Sequence, residues 1–391
     1  MKGYLMSLKD LFQLDPNVVF LNHGSFGATP KEVFAVYQEW QRRLEHQPVK
    51  FLGREIQGLL TEARTSLGIY LNADKDDLIF VPNATTGVNI VARSLNLKEG
   101  DEVLASDHEY GACNNTWTYL SQRQGFTYKH VAVPLPVKSN EEMHTLLWQG
   151  ITPKTKVIFL SHITSPTAVT FPVAEICKRA REAGILTVID GAHAPGQVPL
   201  DMQAIDADFY TGNCHKWMCS PKGAGFLYVR REHQPLIEPL VVSWGWSGQN
   251  HEKLGSSFLD NYAWQGTQDF SAYLSVFAAI EFQKKYDWDS VRKKCHVLLK
   301  ECMDKLEKLT GLAPAYISDT FYHQLAITPL PKVTDLTAFK NKLYDDYCIE
   351  IPLTEYKDKQ FARISVQGYN TLEDLDALVA ALDELLYKSV Q

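Results

Sequence analysis

Apolar and polar positions along the chain repeat as short units in which an apolar run meets a polar turn and then a helical stripe. Residues 78–95, LIFVPNATTGVNIVARSL, show the unit plainly: a strand, a turn, then Val88, Ile90, Val91 and Leu95 at helical spacing. It recurs at 101–117 and 154–184, and again where ILTVI (185–189) runs into Asp190. Such alternation predicts a parallel sheet with crossover helices, whose ligands collect beyond the carboxyl ends of the strands. Upstream, NVVFLN (17–22) breaks into the turn-rich HGSFGATP, and 31–60 reads as an amphipathic helix interrupted near Pro48. Past about residue 231 the rhythm loosens. A Gly-, Ser- and aromatic-rich segment leads to Gln265-Gly266-Thr267, followed by helices over 272–287 and 288–309, strands near 322–328, 348–353 and 361–367, and a last helix over 371–388. The expected architecture is α/β, with a large domain over 25–265 and a smaller α+β domain made of 1–24 and 266–391.

Composition narrows the class. The 391 residues are 45% hydrophobic and 22% charged, as in ordinary globular proteins, and the net charge of −7 comes with no basic block. Nothing therefore points to nucleic acid or to an acidic membrane surface. The seven cysteines are scattered without a CxxC pair or a zinc spacing, so neither a disulfide framework nor a metal site is expected. No apolar run reaches the roughly 18 residues of a membrane span, and the N-terminus lacks a signal-peptide core. A cytoplasmic protein is the expectation.

Chemistry concentrates in the turns after the strands. Lys216 lies between apolar segments, where partial desolvation disfavours its ammonium and makes it nucleophilic; the alternative is an ordinary turn lysine. Asp190 ends a buried strand and needs a cation, unless it merely caps the turn into Gly191. Thr85 and Thr86 stand where a helix begins, which suits a phosphate or a plain helix cap. His108, His162 and Ser165 also follow strands, where a histidine is more often a satisfied structural residue than a catalytic one, and Arg363 sits in an apolar strand, where it meets either a ligand or a structural carboxylate. Together these groups fit pyridoxal 5′-phosphate. Its aldehyde condenses with a lysine, its phosphate needs donors, its ring nitrogen needs a carboxylate to stay protonated, and its flat ring takes a stacking partner.

The stretches LNHGSFGATP (21–30), NATTGVN (83–89), DHEYGA (107–112), SHITSPTA (161–168), VIDGAHAPGQ (188–197), DFYTGNCHKW (208–217), WQGT (264–267) and ARISVQGYNT (362–371) span nearly the whole chain. In them the chain resembles the fold-type-I pyridoxal-phosphate enzymes of the class V aminotransferase group, most of all the isopenicillin N epimerase-like branch. The resemblance implies that Lys216 bonds to the cofactor aldehyde, that His108 stacks on the ring, that Asp190 pairs with the ring nitrogen and that His193 lies near the ring oxygen. It implies a phosphate site from Ala84, Thr85, Thr86, Asn213 and His215, with Thr267 supplied by the second subunit of a homodimer. Arg363 would clamp the carboxylate of an amino-acid substrate, with Asn22 and His23 beside it. Related cysteine desulfurases carry a nucleophilic cysteine on a loop before that arginine. Here Cys348 falls in the alternating segment YCIEIPL and reads as a small buried hydrophobe, which disfavours persulfide transfer. Epimerisation and C–S lysis are then nearly level, ahead of transamination. A non-catalytic scaffold is opposed by the intact charged cluster, and a Rossmann dehydrogenase by the lack of GxGxxG after the first strand.

Overall fold

The chain, described by a computed structural model over residues 8–247 and 253–388, enters through a two-residue strand, β1 (Val19–Phe20). Seven strands follow: β2 (Leu78–Val81), β3 (Glu102–Ser106), β4 (Thr127–Val131), β5 (Thr155–Ser161), β6 (Leu186–Gly191), β7 (Phe209–Asn213) and β8 (Gly225–Val229). They form one sheet in the order β2-β8-β7-β6-β5-β3-β4, parallel except for β8, which runs against both of its neighbours. β6, β7 and β8 are buried almost throughout, because helices cover the sheet and leave no face for polar side chains. Gly87 lets the helix Ala84–Ser94 approach β7, since a Cβ there would stand 2.1 Å from Thr211 Oγ1. This architecture is the fold-type-I fold expected from the sequence.

The remaining strands are β9 (Leu325–Leu330), β10 (Ile349–Glu350), β11 (Leu353–Tyr356) and β12 (Lys359–Ser365). β12 is the centre of an antiparallel β11-β12-β9 sheet, and β10 pairs in parallel with β1, tying the N-terminal arm to the C-terminal unit. The long helix appears as Trp288–Thr310, close to its predicted bounds. The segment read as one strand over 348–353 divides into the short β10 and the start of a hairpin. β11 is largely half-buried and carries no apolar alternation, which is why its sequence did not declare a strand. Cys348 corrects the sequence reading: it is exposed, on the turn before β10, with φ 55. The nearby hairpin occupies the stretch before Arg363. No described helix is long and apolar enough to cross a membrane.

Candidate active site

The parallel strands β3, β5, β6 and β7 deliver their turns to one edge of the sheet. Asp190 is the next-to-last residue of β6 and lies in register with Thr211 of β7, three residues from the turn that carries Lys216. On the other flank, β5 leads to Ser165 and β3 to Tyr110. Side chains far apart in sequence thus converge around the Asp190 carboxylate.

Asp190 is buried and, among the described residues, has no cation hydrogen-bonded to it. One oxygen accepts the Ala192 N–H at 2.9 Å and the other accepts the Cys113 thiol at 3.4 Å. Burial pushes its pKa above the usual carboxylate range, against the lowering effect of these bonds and of Lys216. Lys216 is partly buried, and burial reinforced by the Arg363 charge lowers its pKa to about 8. Its Nζ lies 3.1 Å from Nε2 of His193, whose Nδ1 accepts the Trp217 indole N–H at 3.3 Å. Nε2 therefore carries the ring proton, and Lys216 accepts it only when uncharged. Burial and the surrounding cations keep His193 neutral.

Arg363, on β12, is almost fully buried, and burial lowers its pKa to about 10. Nη1 donates to the Ser165 carbonyl at 2.7 Å and its hydroxyl at 3.2 Å, and Nη2 to Ser25 Oγ at 3.0 Å. Its Nε has no partner, and no carboxylate pairs with it among the described residues. A buried guanidinium held only by neutral groups calls for an anion.

Some of the residues expected to hold a phosphate also meet. Asn83 caps the helix Ala84–Ser94, accepting Thr86 N–H at 2.9 Å, and Asn213 Oδ1 accepts Ala84 N–H at 2.8 Å. The cap is thus Asn83, two residues before Thr85, the first of the positions the sequence had favoured. His215 donates from Nδ1 to the Ala224 carbonyl at 3.1 Å, leaving Nε2 for another group. Gly27, at φ +72, is required beside it, because a Cβ would stand 2.0 Å from the His215 carbonyl oxygen. Thr267 instead lines a separate cleft with Pro48, Val49, Trp244 and Trp264.

Three expectations need correction. His108 is wholly buried: Nε2 bonds the Val133 carbonyl at 2.7 Å, Nδ1 bonds Thr167 Oγ1 at 2.6 Å, and Tyr356 covers one ring face. No face is left for a flat ligand, whereas Tyr110, two residues on, is 43% exposed and lies close enough to act electrostatically on Arg363. Tyr110 is the extended residue that precedes the helix Gly111–Gln124, whose Cys113 donates to Asp190. His23 is likewise buried, between Tyr369 Oη at 2.9 Å and the Lys216 carbonyl at 3.0 Å, so it braces the lysine's backbone and does not meet substrate. Asn22 is bound to Glu350 and reaches Arg363 only through Ser25. Sequence reasoning also missed Glu109, which joins the ends of β3 and β5 by bonds of 2.5 Å to Ser106 Oγ and 2.6 Å to Ser161 Oγ. A carboxylate inside the motif DHEYGA was the available signal.

An uncompensated buried carboxylate, a depressed lysine amine beside a neutral histidine, and the N-terminus of a helix beside Asn213 match, respectively, the cationic ring nitrogen, the aldehyde and the phosphate of pyridoxal phosphate. Comparison with known proteins points the same way. The family model described as aminotransferase class-V matches residues 19–325. The chain is 34% identical to isopenicillin N epimerase of Amycolatopsis lactamdurans, across 96% of this chain and 97% of that protein. It is 29% identical to a probable chloroplastic L-cysteine desulfhydrase of Arabidopsis thaliana, across 95% and 84%. A cysteine desulfurase from Thermococcus onnurineus NA1 shares the fold, with a TM-score of 0.81 at 20% identity over 97% of each chain.

Proposed function

The chain belongs to the class-V aminotransferase family of pyridoxal-phosphate-dependent enzymes, and on that premise we propose that it is an amino-acid epimerase that removes the Cα proton and returns one to the opposite face. The observation that carries this reading is the pair of groups on the two flanks of Asp190: Lys216 after β7 on one side and the exposed Tyr110 after β3 on the other. Arg363 binds the substrate carboxylate and so orients the Cα–H bond. The cofactor, when bound, supplies the electron sink for the bonding pair of that C–H. Lys216 Nζ, as a free amine, takes the proton, and the His193 N–H keeps that amine aligned. Tyr110, in place of His108, would cover the bound cofactor's ring, and its hydroxyl would supply the returning proton from the opposite flank.

In the same reading Asp190 would hold the ring nitrogen, His193 would stand near the ring oxygen, and Ala84, Thr85, Thr86, Asn213 and His215 would hold the phosphate. Thr267 would complete the phosphate site of a second copy. The exposed Val49, Val242 and Trp246, at 73%, 67% and 69%, support a homodimer interface near that cleft. The division near residue 265 has support in packing, since Phe258 and Leu259 still belong to the core that includes Ile79 and Val229 of the large sheet.

C–S lysis is the second reading, favoured by the desulfhydrase relative. It needs only Lys216 and a leaving group on the substrate β-carbon. One assay separates the two. Incubation with sulfur-bearing amino acids in deuterated water should give deuterium at Cα with change of chirality; release of pyruvate and sulfide without an epimerised product would overturn the epimerase reading.

Because only the free amine condenses with an aldehyde, borohydride-trapped incorporation of pyridoxal phosphate should rise with pH about a midpoint near 8, the depressed pKa of Lys216. Mass spectrometry of protein loaded between acid and alkaline pH measures it. A rise continuing toward the ordinary lysine range would show an amine that is not desolvated.

A further inference from the structure

The hairpin that carries Arg363 is fastened at its tip. β11 ends at Tyr356, the chain turns through Lys357 at φ 53, and β12 returns to Arg363. Tyr356 lays its ring on the His108 imidazole, with centroids 4.5 Å apart and planes 27° from parallel. Its hydroxyl lies 3.0 Å from His108 Nε2 and donates to the Val133 carbonyl at 3.3 Å. Lys357 Nζ reaches Asp107 Oδ2 at 2.9 Å, while Asp107 Oδ1 accepts the Val133 N–H at 2.9 Å. His108 in turn bonds Thr167, in the turn whose Ser165 holds the guanidinium.

We propose that this tip is a clasp: Tyr356 and Lys357, seated on Asp107 and His108, set the distance between the Arg363 guanidinium and the Tyr110 side of the site and so fix how the substrate carboxylate is held. Arg363 is hydrogen-bonded through its strand to β9 and lies in register with Ile327, so it moves with the hairpin as a unit. The tip is the hairpin's attachment to the segment that bears Tyr110. The two contacts differ in strength. Lys357 is half-exposed, and its ion pair is screened by water, whereas the Tyr356 ring and hydroxyl meet a buried partner. Tyr356 and Lys357 are positioning residues, and the proposal rests on the reading of Arg363 as the carboxylate site.

The test uses holoenzyme variants Tyr356→Ala, Tyr356→Phe, Lys357→Ala and Arg363→Ala, titrated with L-alanine and with ethylamine, its counterpart without the carboxylate. The absorbance of the bound cofactor is the readout. Tyr356→Ala should weaken L-alanine binding about tenfold and ethylamine binding less than about twofold, with Tyr356→Phe intermediate and Lys357→Ala the mildest. Equal weakening of both ligands, or none, would overturn the clasp. If Arg363→Ala leaves L-alanine binding intact, the carboxylate reading fails and the clasp's role fails with it. In cofactor-free protein, tryptic cleavage at Lys357 or Lys359 should be faster in Tyr356→Ala than in the wild type. Unchanged cleavage would show that the tip is not held by Tyr356.

Discussion

Replacing Lys216 by alanine should lower turnover by about 10⁴-fold, since in the proposed mechanism one side chain serves both as the cofactor's covalent attachment and as the base. Three features of its surroundings support this. Its amine is depressed to about 8, burial being the main cause. Its neutral partner His193 is oriented by the Trp217 indole. Its backbone carbonyl is held by His23. The variant should still take up pyridoxal phosphate through the phosphate residues and Asp190, but borohydride reduction followed by dialysis should leave the protein without label. Wild-type protein treated the same way should retain it. Turnover within tenfold of wild type would mean that another group is the base, and the mechanism would have to be rebuilt around it.

Asp190→Asn should act in opposite directions on catalysis and on the stability of the cofactor-free protein. An amide keeps the acceptor for the Ala192 N–H but cannot favour a protonated ring nitrogen, so turnover should fall by about 10²–10³-fold, in the range seen when one preorganised charge-stabilising group is lost. Without cofactor the carboxylate is a buried acid whose pKa lies above its unfolded value. An acid of that kind binds more protons folded than unfolded. Its favourable contribution is therefore present at low pH and lost as pH rises from the ordinary carboxylate range through the raised folded value. Thermal melts of cofactor-free protein should show the wild type losing stability relative to Asp190→Asn as pH rises through that window. Once the cofactor's cationic ring is bound the sign reverses, and the wild type should gain more from loading than the variant. A variant that melts below the wild type without cofactor at neutral pH would show that Asp190 is a structural anchor and not a waiting counter-ion.

The charged groups that matter most were legible in the chain because each interrupts a strongly apolar context. Asp190 follows ILTVI, Lys216 lies between two buried strands and Arg363 sits inside FARISVQ, and water-excluding surroundings demand a partner wherever they occur. The order of strands and helices was legible for a similar reason, since apolar periodicity is a local property. β11 escaped notice because it has none. Turns behave differently. In DHEY, successive residues leave the strand in different directions, and nothing local tells that His108 turns inward onto Tyr356, 248 residues away, while Tyr110 stays open. His23 was likewise decided by Tyr369, 346 residues on, and the Arg363 cradle by Ser25 and Ser165. The sequence by itself determined the family, the cofactor and the three charged residues to which the proposed chemistry is assigned. Only the tertiary structure decided which neutral side chains face the opening and which are used up in holding it, because that choice depends on hydrogen-bond partners that the chain brings together from its two ends.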